Sequence, residues 1–250
     1  MSASRLTREQ YLVRRERIRE EFSRVLPLAR ISDDPKKDRI GTCCIRKAND
    51  IADAMGTLPD APLIVEIGVW RGSSFLRLAG AARVLGGRAV GIDPYAKYEQ
   101  HAVLNESVNA LIQSFNFDAE YVPILKRLHA CGLASTASIV RTKSEDAATL
   151  FDDESIDCLH IDGNHAEDAV RRDFELYLPK MKRGGIVIVD DVTWPSVVKM
   201  FMERIVPRVS RVFWGDRIFD RASTDNDCTV FSAVILSLEN DTKNWSIVGV

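Results

Sequence analysis

The chain has 250 residues, 46% hydrophobic and 28% charged, with a formal net charge of -2, a balance that suits one large α/β domain or one domain with an appendage. So small a net charge gives no general pull toward nucleic acid or an anionic membrane surface. No apolar run approaches the roughly 18 residues of a membrane span, and the opening MSASRLTREQ lacks the apolar core of a secretory signal.

Thr7 and Gln10 have the spacing of a capping box, ahead of a charge-dense helix over residues 5 to 30. Tyr11, Val13, Ile18, Phe22, Val25 and Leu26 give it an imperfect apolar stripe. That stripe predicts a helix laid over the domain or over a neighbouring subunit, with a homo-oligomer as the corresponding expectation. Its basic residues are matched by nearby Glu, unlike a nucleic-acid arm. ISDDPKKDRIG reads as a loop, and IRKANDIADAMGTL as a second helix ended by Gly56. Residues 1–58 therefore read as an N-terminal helical extension, and residues 59–250 as the main domain.

From Pro62 the pattern becomes strand, turn, helix, repeated. LIVEIGV is a strand, SSFLRLAGAARVL a helix closed by Gly86-Gly87, and RAVGID a second strand; ASIVRTK, SIDCLHID and GGIVIVDD supply three more. The stretch 95–133 is too long for a simple connection and reads as a helical cap insertion, with LNESVNALIQSF and VPILKRLHACG as its helices. RVFWGDRIF and CTVFSAVIL alternate with no helix between them, as an antiparallel pair would. The expected fold class is α/β: a Rossmann-like doubly wound, mostly parallel sheet ending in an antiparallel strand pair. Cys43, Cys44, Cys131, Cys158 and Cys228 are odd in number and lack zinc-like spacing, so reduced thiols in a cytoplasmic protein are expected.

The chemistry concentrates at strand ends. SIDCLHID and GGIVIVDD each run from apolar residues straight into acid, and the carboxyl ends of such strands are where open α/β sheets bind ligands. Asp162, Asp190 and Asp191 thus supply three hard oxygen donors at one rim, the pattern of a divalent-cation site, with His165 beside them as a base. Asn164 and Glu167 suggest a capping box that would put His165 in the first turn of the following helix. His160, inside its strand, reads as a packed core histidine. Asp168, Arg171, Arg172 and Asp173 read as a solvated helix face, and Tyr95, Tyr98, Trp194 and Trp214 as pocket-lining candidates.

A second group of residues suits a nucleoside-containing ligand. Gly68 allows a tight turn and a close backbone approach, Gly72 does the same where a helix opens, and Ser73 or Ser74 suits capping that helix or binding a carboxylate. Asp93 ends the next strand, where an acid can accept hydrogen bonds from ribose hydroxyls. Ser144 and Glu145, after the third strand, are placed to flank an adenine ring, although a Ser-Glu pair is also an ordinary helix start. Gly68 and Gly72 are separated by three residues, which does not match the dinucleotide fingerprint GxGxxG.

EIGVWRGSS, then GIDPY, then IDCLHIDGNHAEDAVRRDFELYLPKMKRGGIVIVDD, resemble the motif series of class I S-adenosylmethionine-dependent methyltransferases over roughly residues 60 to 195. Within them the chain looks most like the metal-dependent O-methyltransferases of the macrocin type, which act on sugar or antibiotic hydroxyls, and more distantly like catechol O-methyltransferases. The resemblance implies S-adenosylmethionine as cofactor, with Glu66, Gly68, Ser73 and Ser74 around its methionine part, Asp93 on the ribose, and Ser144 and Glu145 at the adenine. It implies Asp162, Asp190 and Asp191 as ligands of Mg²⁺ (Mn²⁺ or Ca²⁺ as substitutes), with Asp162 and His165 as the catalytic pair. Catechol enzymes carry Asn and Lys where this chain has Asp191 and His165, which favours a sugar-type or natural-product hydroxyl over a catechol.

The expected partner is a small hydroxylated acceptor. Two rival readings weigh against this one. A nucleotide-sugar or nicotinamide oxidoreductase predicts GxGxxG, which is absent, and a non-catalytic cofactor-binding module has no need of three acids with a histidine.

Overall fold

A computed structural model describes residues 6–29, 43, 45–97, 113–191, 195–200, 203, 211–214 and 234–237. The ISDDPKKDRIG loop, most of LNESVNALIQSF, Cys44, Tyr98, Trp194 and Cys228 lie outside the described residues.

Helix α1 spans Arg8–Ala29 and α2 spans Ile45–Met55. The capping box forms in both directions: the Thr7 amide donates to Gln10 Oε1 (2.8 Å) and the Gln10 amide to Thr7 Oγ1 (3.1 Å). Two of the first orphan amides of α1 are thereby satisfied. Ile18, Phe22 and Val25 are buried, whereas Val13 stays exposed, so the working stripe is narrower than the apolar residues suggested. It lies against helix α3, Ser73–Val84. Glu21 on α1 bridges Arg24 and Arg83 of α3 and fits beside Gly80, where a side chain would crowd it.

The strands are β1 (Leu63–Ile67), β2 (Arg88–Ile92), β3 (Ala137–Val140), β4 (Ile156–Ile161), β5 (Met181–Val189), β6 (Arg211–Trp214) and β7 (Val234–Ser237). They form one sheet in the order β3-β2-β1-β4-β5-β7-β6. The first five are parallel, β7 runs antiparallel to β5, and β6 antiparallel to β7. This is the doubly wound α/β architecture expected of the alternating pattern. β4 is buried at every position, as its unbroken apolar run requires of a strand covered on both faces. The chain reverses direction of winding between β1 and β4, and a ligand crevice opens at the carboxyl ends of strands at such a point.

Helices α4 (Asp118–Ala130), α5 (Ser144–Ala147), α6 (Glu167–Tyr177) and α7 (Pro195–Met200) complete the described helices. One apolar cluster joins Ile64, Cys158 and Ile188 of the sheet to α1, α2, α3 and α4. The other joins Val65, Leu159 and Val187 to Val170, Phe174 and Tyr177 of α6. The glycine pair closes α3 as expected: Gly86 has φ +73, and the Gly87 amide returns to Ala82 O at 2.8 Å. Among the described residues, no helix is long and apolar enough to cross a membrane.

Candidate functional site

The loop from β1 into α3 is pressed onto the end of β4. Gly68 has φ +89, and a Cβ there would lie 2.0 Å from the Asp162 carbonyl oxygen, so only glycine lets the two strand ends meet. The Asp162 amide donates to Ile67 O and the Gly68 amide to Ile92 O, closing the ends of β1, β2 and β4 into one rim. Trp70, Tyr95 and Asp191 on this rim hold positive φ without being glycine, a conformation that needs surrounding contacts to sustain it. For two of them Asp93 supplies those contacts. Its buried carboxylate accepts from the Trp70 amide (2.8 Å) and the Tyr95 amide (2.7 Å). Burial pushes the Asp93 carboxyl above its ordinary pKa, and these amides oppose that rise.

Glu66 and His160 face each other across β1 and β4, both fully buried, with His160 Nδ1 2.6 Å from Glu66 Oε1. Ser74 Oγ donates to the same Glu66 oxygen at 2.5 Å. Glu66 Oε2 and His160 Nε2 have no hydrogen-bond partner among the described residues. Ser73 is differently employed: its hydroxyl accepts from the Cys43 amide (3.0 Å) and from buried Arg77 (3.1 Å). It tethers the segment before α2 to α3. Gly72 has φ +77, and a side chain there would strike Ile124 of α4.

The three aspartates expected to act as one set have unequal partners. Lys47 on α2, buried at 4% side-chain exposure, forms an ion pair with Asp190 and lies 3.8 Å from Asp162 Oδ2. Burial works to raise the Asp190 carboxyl, but the Lys47 ammonium outweighs it, with His160 and an Asp162 hydrogen bond adding to the effect, and holds Asp190 well below the usual carboxylate range. Asp162 moves the opposite way, raised by desolvation and by the Asp190 charge. Asp191 Oδ2 pairs with His165 Nε2 at 2.9 Å, and its buried Oδ1 has no partner among the described residues. Donor atoms of Asp162, His165 and Asp191 all lie within 4.8 Å of one another. Asp190 is not part of that group.

Two local expectations change. Helix α6 begins at Glu167, so His165 precedes it and is not in its first turn. Asn164 Oδ1 accepts from the Ala166 amide (3.0 Å), a tight side-chain turn that wins over the capping box, and Glu167 pairs with Lys199 of α7. Asp173 is buried and not part of a solvated face. It accepts a hydrogen bond from Ser144 Oγ, and burial pushes its carboxyl up to about 7. Glu145 forms an ion pair with Arg172.

Lys47 and Asp173 carried one readable signal: each sits on the apolar stripe of its helix. Lys47 shares a stripe with Ile51 and Met55, and Asp173 with Val170, Phe174 and Tyr177. A charge at such a position announces a buried partner.

A family model described as a methyltransferase domain matches residues 65–192. The chain belongs to this methyltransferase family. No curated protein matches this methyltransferase in sequence. Among solved structures, the O-methyltransferase NovP is similar at a TM-score of 0.59 and 15% identity, over 78% of this chain and 81% of that one. An rRNA methylase from Streptococcus thermophilus aligns at a TM-score of 0.51 and 13% identity, over 75% of this chain and 92% of its own. A SAM-dependent O-methyltransferase from Thermotoga maritima aligns at 0.50 and 15% identity, over 79% and 66%. At such identities the likeness is one of fold, and the fold alone does not choose the acceptor.

Proposed function

We propose that this methyltransferase moves a methyl group from S-adenosylmethionine to a hydroxyl of a small acceptor, a sugar-type or natural-product hydroxyl being favoured over a catechol. The observation that carries the reading is the His165–Asp191 pair at the rim of β4 and β5, beside the Gly68 turn.

The cofactor fits the residues present. Glu66 Oε2 is a buried acceptor without a partner among the described residues, suited to a cationic methionine ammonium close to the Gly68 turn. The Asp93 carboxylate is held by backbone amides, Trp70 and Tyr95 among them, in an orientation suited to accepting a ribose hydroxyl. Ser144, fixed by Asp173, stands at the adenine end. Bound S-adenosylmethionine supplies a methyl group on a sulfonium that leaves as a neutral thioether.

What the protein must add is a nucleophilic oxygen in line with that methyl group. With Asp191 Oδ2 on its Nε2, the His165 imidazole is the group that takes the proton of the acceptor hydroxyl. Asp191 holds the ring and stabilises the imidazolium that forms, as a buried carboxylate does for a catalytic histidine. A divalent ion also fits, in a reduced form: Asp162 and Asp191 Oδ1, which has no partner among the described residues, would hold it, Mg²⁺ being content with one or two carboxylates plus water and substrate oxygens. When bound it would lower the pKa of the acceptor hydroxyl and help fix its position.

The test is turnover of His165→Ala and His165→Gln with labelled S-adenosylmethionine and a panel of hydroxylated acceptors. Loss of general-base catalysis is worth roughly 10²–10⁴ in rate, with partial recovery at high pH and cofactor affinity nearly intact. Near-normal turnover in the Gln variant would retire His165 as the base.

A further inference from the structure

Helix α2 belongs to the N-terminal extension, yet it delivers a buried ammonium to the catalytic rim. Lys47 is 143 residues from Asp190 in sequence and pairs with it directly. Its neighbours on the buried stripe, Ala48, Ile51, Ala52 and Met55, are all buried and apolar, so the helix is anchored where it stands. An ammonium in such surroundings is stable only because carboxylates compensate it. A second cation on the same carboxylates would meet direct repulsion from the first.

The rim is therefore divided. On one side Lys47 occupies Asp190 and approaches Asp162. On the other, Asp162, His165 and Asp191 converge, and Asp191 Oδ1 remains without a partner among the described residues.

We propose that Lys47 is a positioning residue that removes Asp190 from the metal-binding set, so that a divalent ion is held by Asp162 and Asp191 and not by three aspartates. This rests on the reading of the rim as a divalent-ion site. Two protein ligands leave an octahedral ion with several open positions. Those positions suit an acceptor that presents two neighbouring oxygens, one of them the oxygen to be methylated. Lys47 thus exchanges tight resident binding of the ion for an open coordination sphere.

The experiment is a Mn²⁺ titration followed by electron paramagnetic resonance of the free ion, on the full chain without cofactor or acceptor. Lys47→Met makes Asp190 available and tightens Mn²⁺ binding at least tenfold. The double variant Lys47→Met with Asp190→Asn replaces the buried ion pair by a neutral pair of similar volume, guards against misfolding, and binds Mn²⁺ within about twofold of the wild type. A tenfold weaker double variant would overturn the proposal, because Asp190 would then be a ligand in the native protein. Equal affinity in wild type and Lys47→Met would also overturn it while leaving the divalent-ion reading intact. Binding in Lys47→Met but not in the wild type would overturn the proposal, because Asp162 and Asp191 would then hold no ion in the native protein. No binding in any variant removes both.

Discussion

Asp173 offers a test that depends on the structure alone. Its carboxyl lies on the buried face of α6, accepts the Ser144 hydroxyl, and is pushed up to about 7 from an ordinary 3.8. Burial is the main cause, with the Ser144 bond and the Arg172 charge opposing it and the Glu145 charge assisting. The folded state thus holds this proton more tightly than the unfolded chain. Between about pH 4 and pH 7 the unfolded state binds fewer protons, so this group's contribution to stability falls as pH rises and levels off above pH 7. At about 1.4 kcal/mol per pH unit, ionising the buried group costs about 4 kcal/mol. Asp173→Asn keeps the shape and an acceptor for Ser144 but has no proton to lose. Urea unfolding of both proteins at pH 5, 6, 7 and 8 isolates the effect as a difference, which cancels the other titrating groups. The variant should gain relative stability steadily to pH 7, by about 4 kcal/mol in all relative to the fully protonated wild type, and level off at pH 8. A difference that stays constant from pH 5 to pH 8 would refute the burial argument.

Three further outcomes are expected. Asp93→Ala removes the proposed ribose acceptor and the carboxylate that holds the Trp70 and Tyr95 amides, so cofactor affinity by calorimetry should fall at least tenfold, at about 1.5–3 kcal/mol per charge-assisted bond; unchanged affinity removes Asp93 from the site. Excess chelator should abolish turnover and Mg²⁺ restore it while cofactor binding survives, and full activity in chelator would leave the His165–Asp191 base alone. Gly68→Ala and Gly86→Ala both set a strained φ, worth roughly 1–3 kcal/mol, but the first also collides with the Asp162 carbonyl whereas the second meets nothing within 4 Å. The first should lower the thermal midpoint well beyond the second, and equal midpoints would show that the loop shifts freely.

The sheet was legible because apolar strands, glycine turns and strand-end acids are local patterns. Thr7 with Gln10 and the Gly86 pair were readable for the same reason. Asn164 with Glu167 shows the limit of spacing: the same residues form a tighter local turn, and the backbone then enters the helix two residues after His165. The division among the three aspartates was not legible. Nothing near Asp190 in sequence indicates that a lysine from α2 reaches it, since that contact exists only once α1, α2 and α3 have packed. Asp173 was misread for a related reason: a run of charged residues looks solvated until the helix face carrying Val170 and Phe174 is seen to carry Asp173 too.

The joint packing of α1 and α2 with the sheet also bears on what counts as the unit of inheritance here. The stretch shared with other methyltransferases, residues 65–192, is a unit of ancestry and not a unit of folding. Cut to that length, the chain would lose Ile18, Phe22, Val25, Ile51 and Met55 from one side of its core. At the other end it would lose β7, leaving the backbone edge of β5 open to strand addition from other molecules. Trimmed fragments should therefore aggregate before they reveal anything about chemistry, and a fragment keeping the Asp162–Asp191 rim must also keep the helix that carries Lys47.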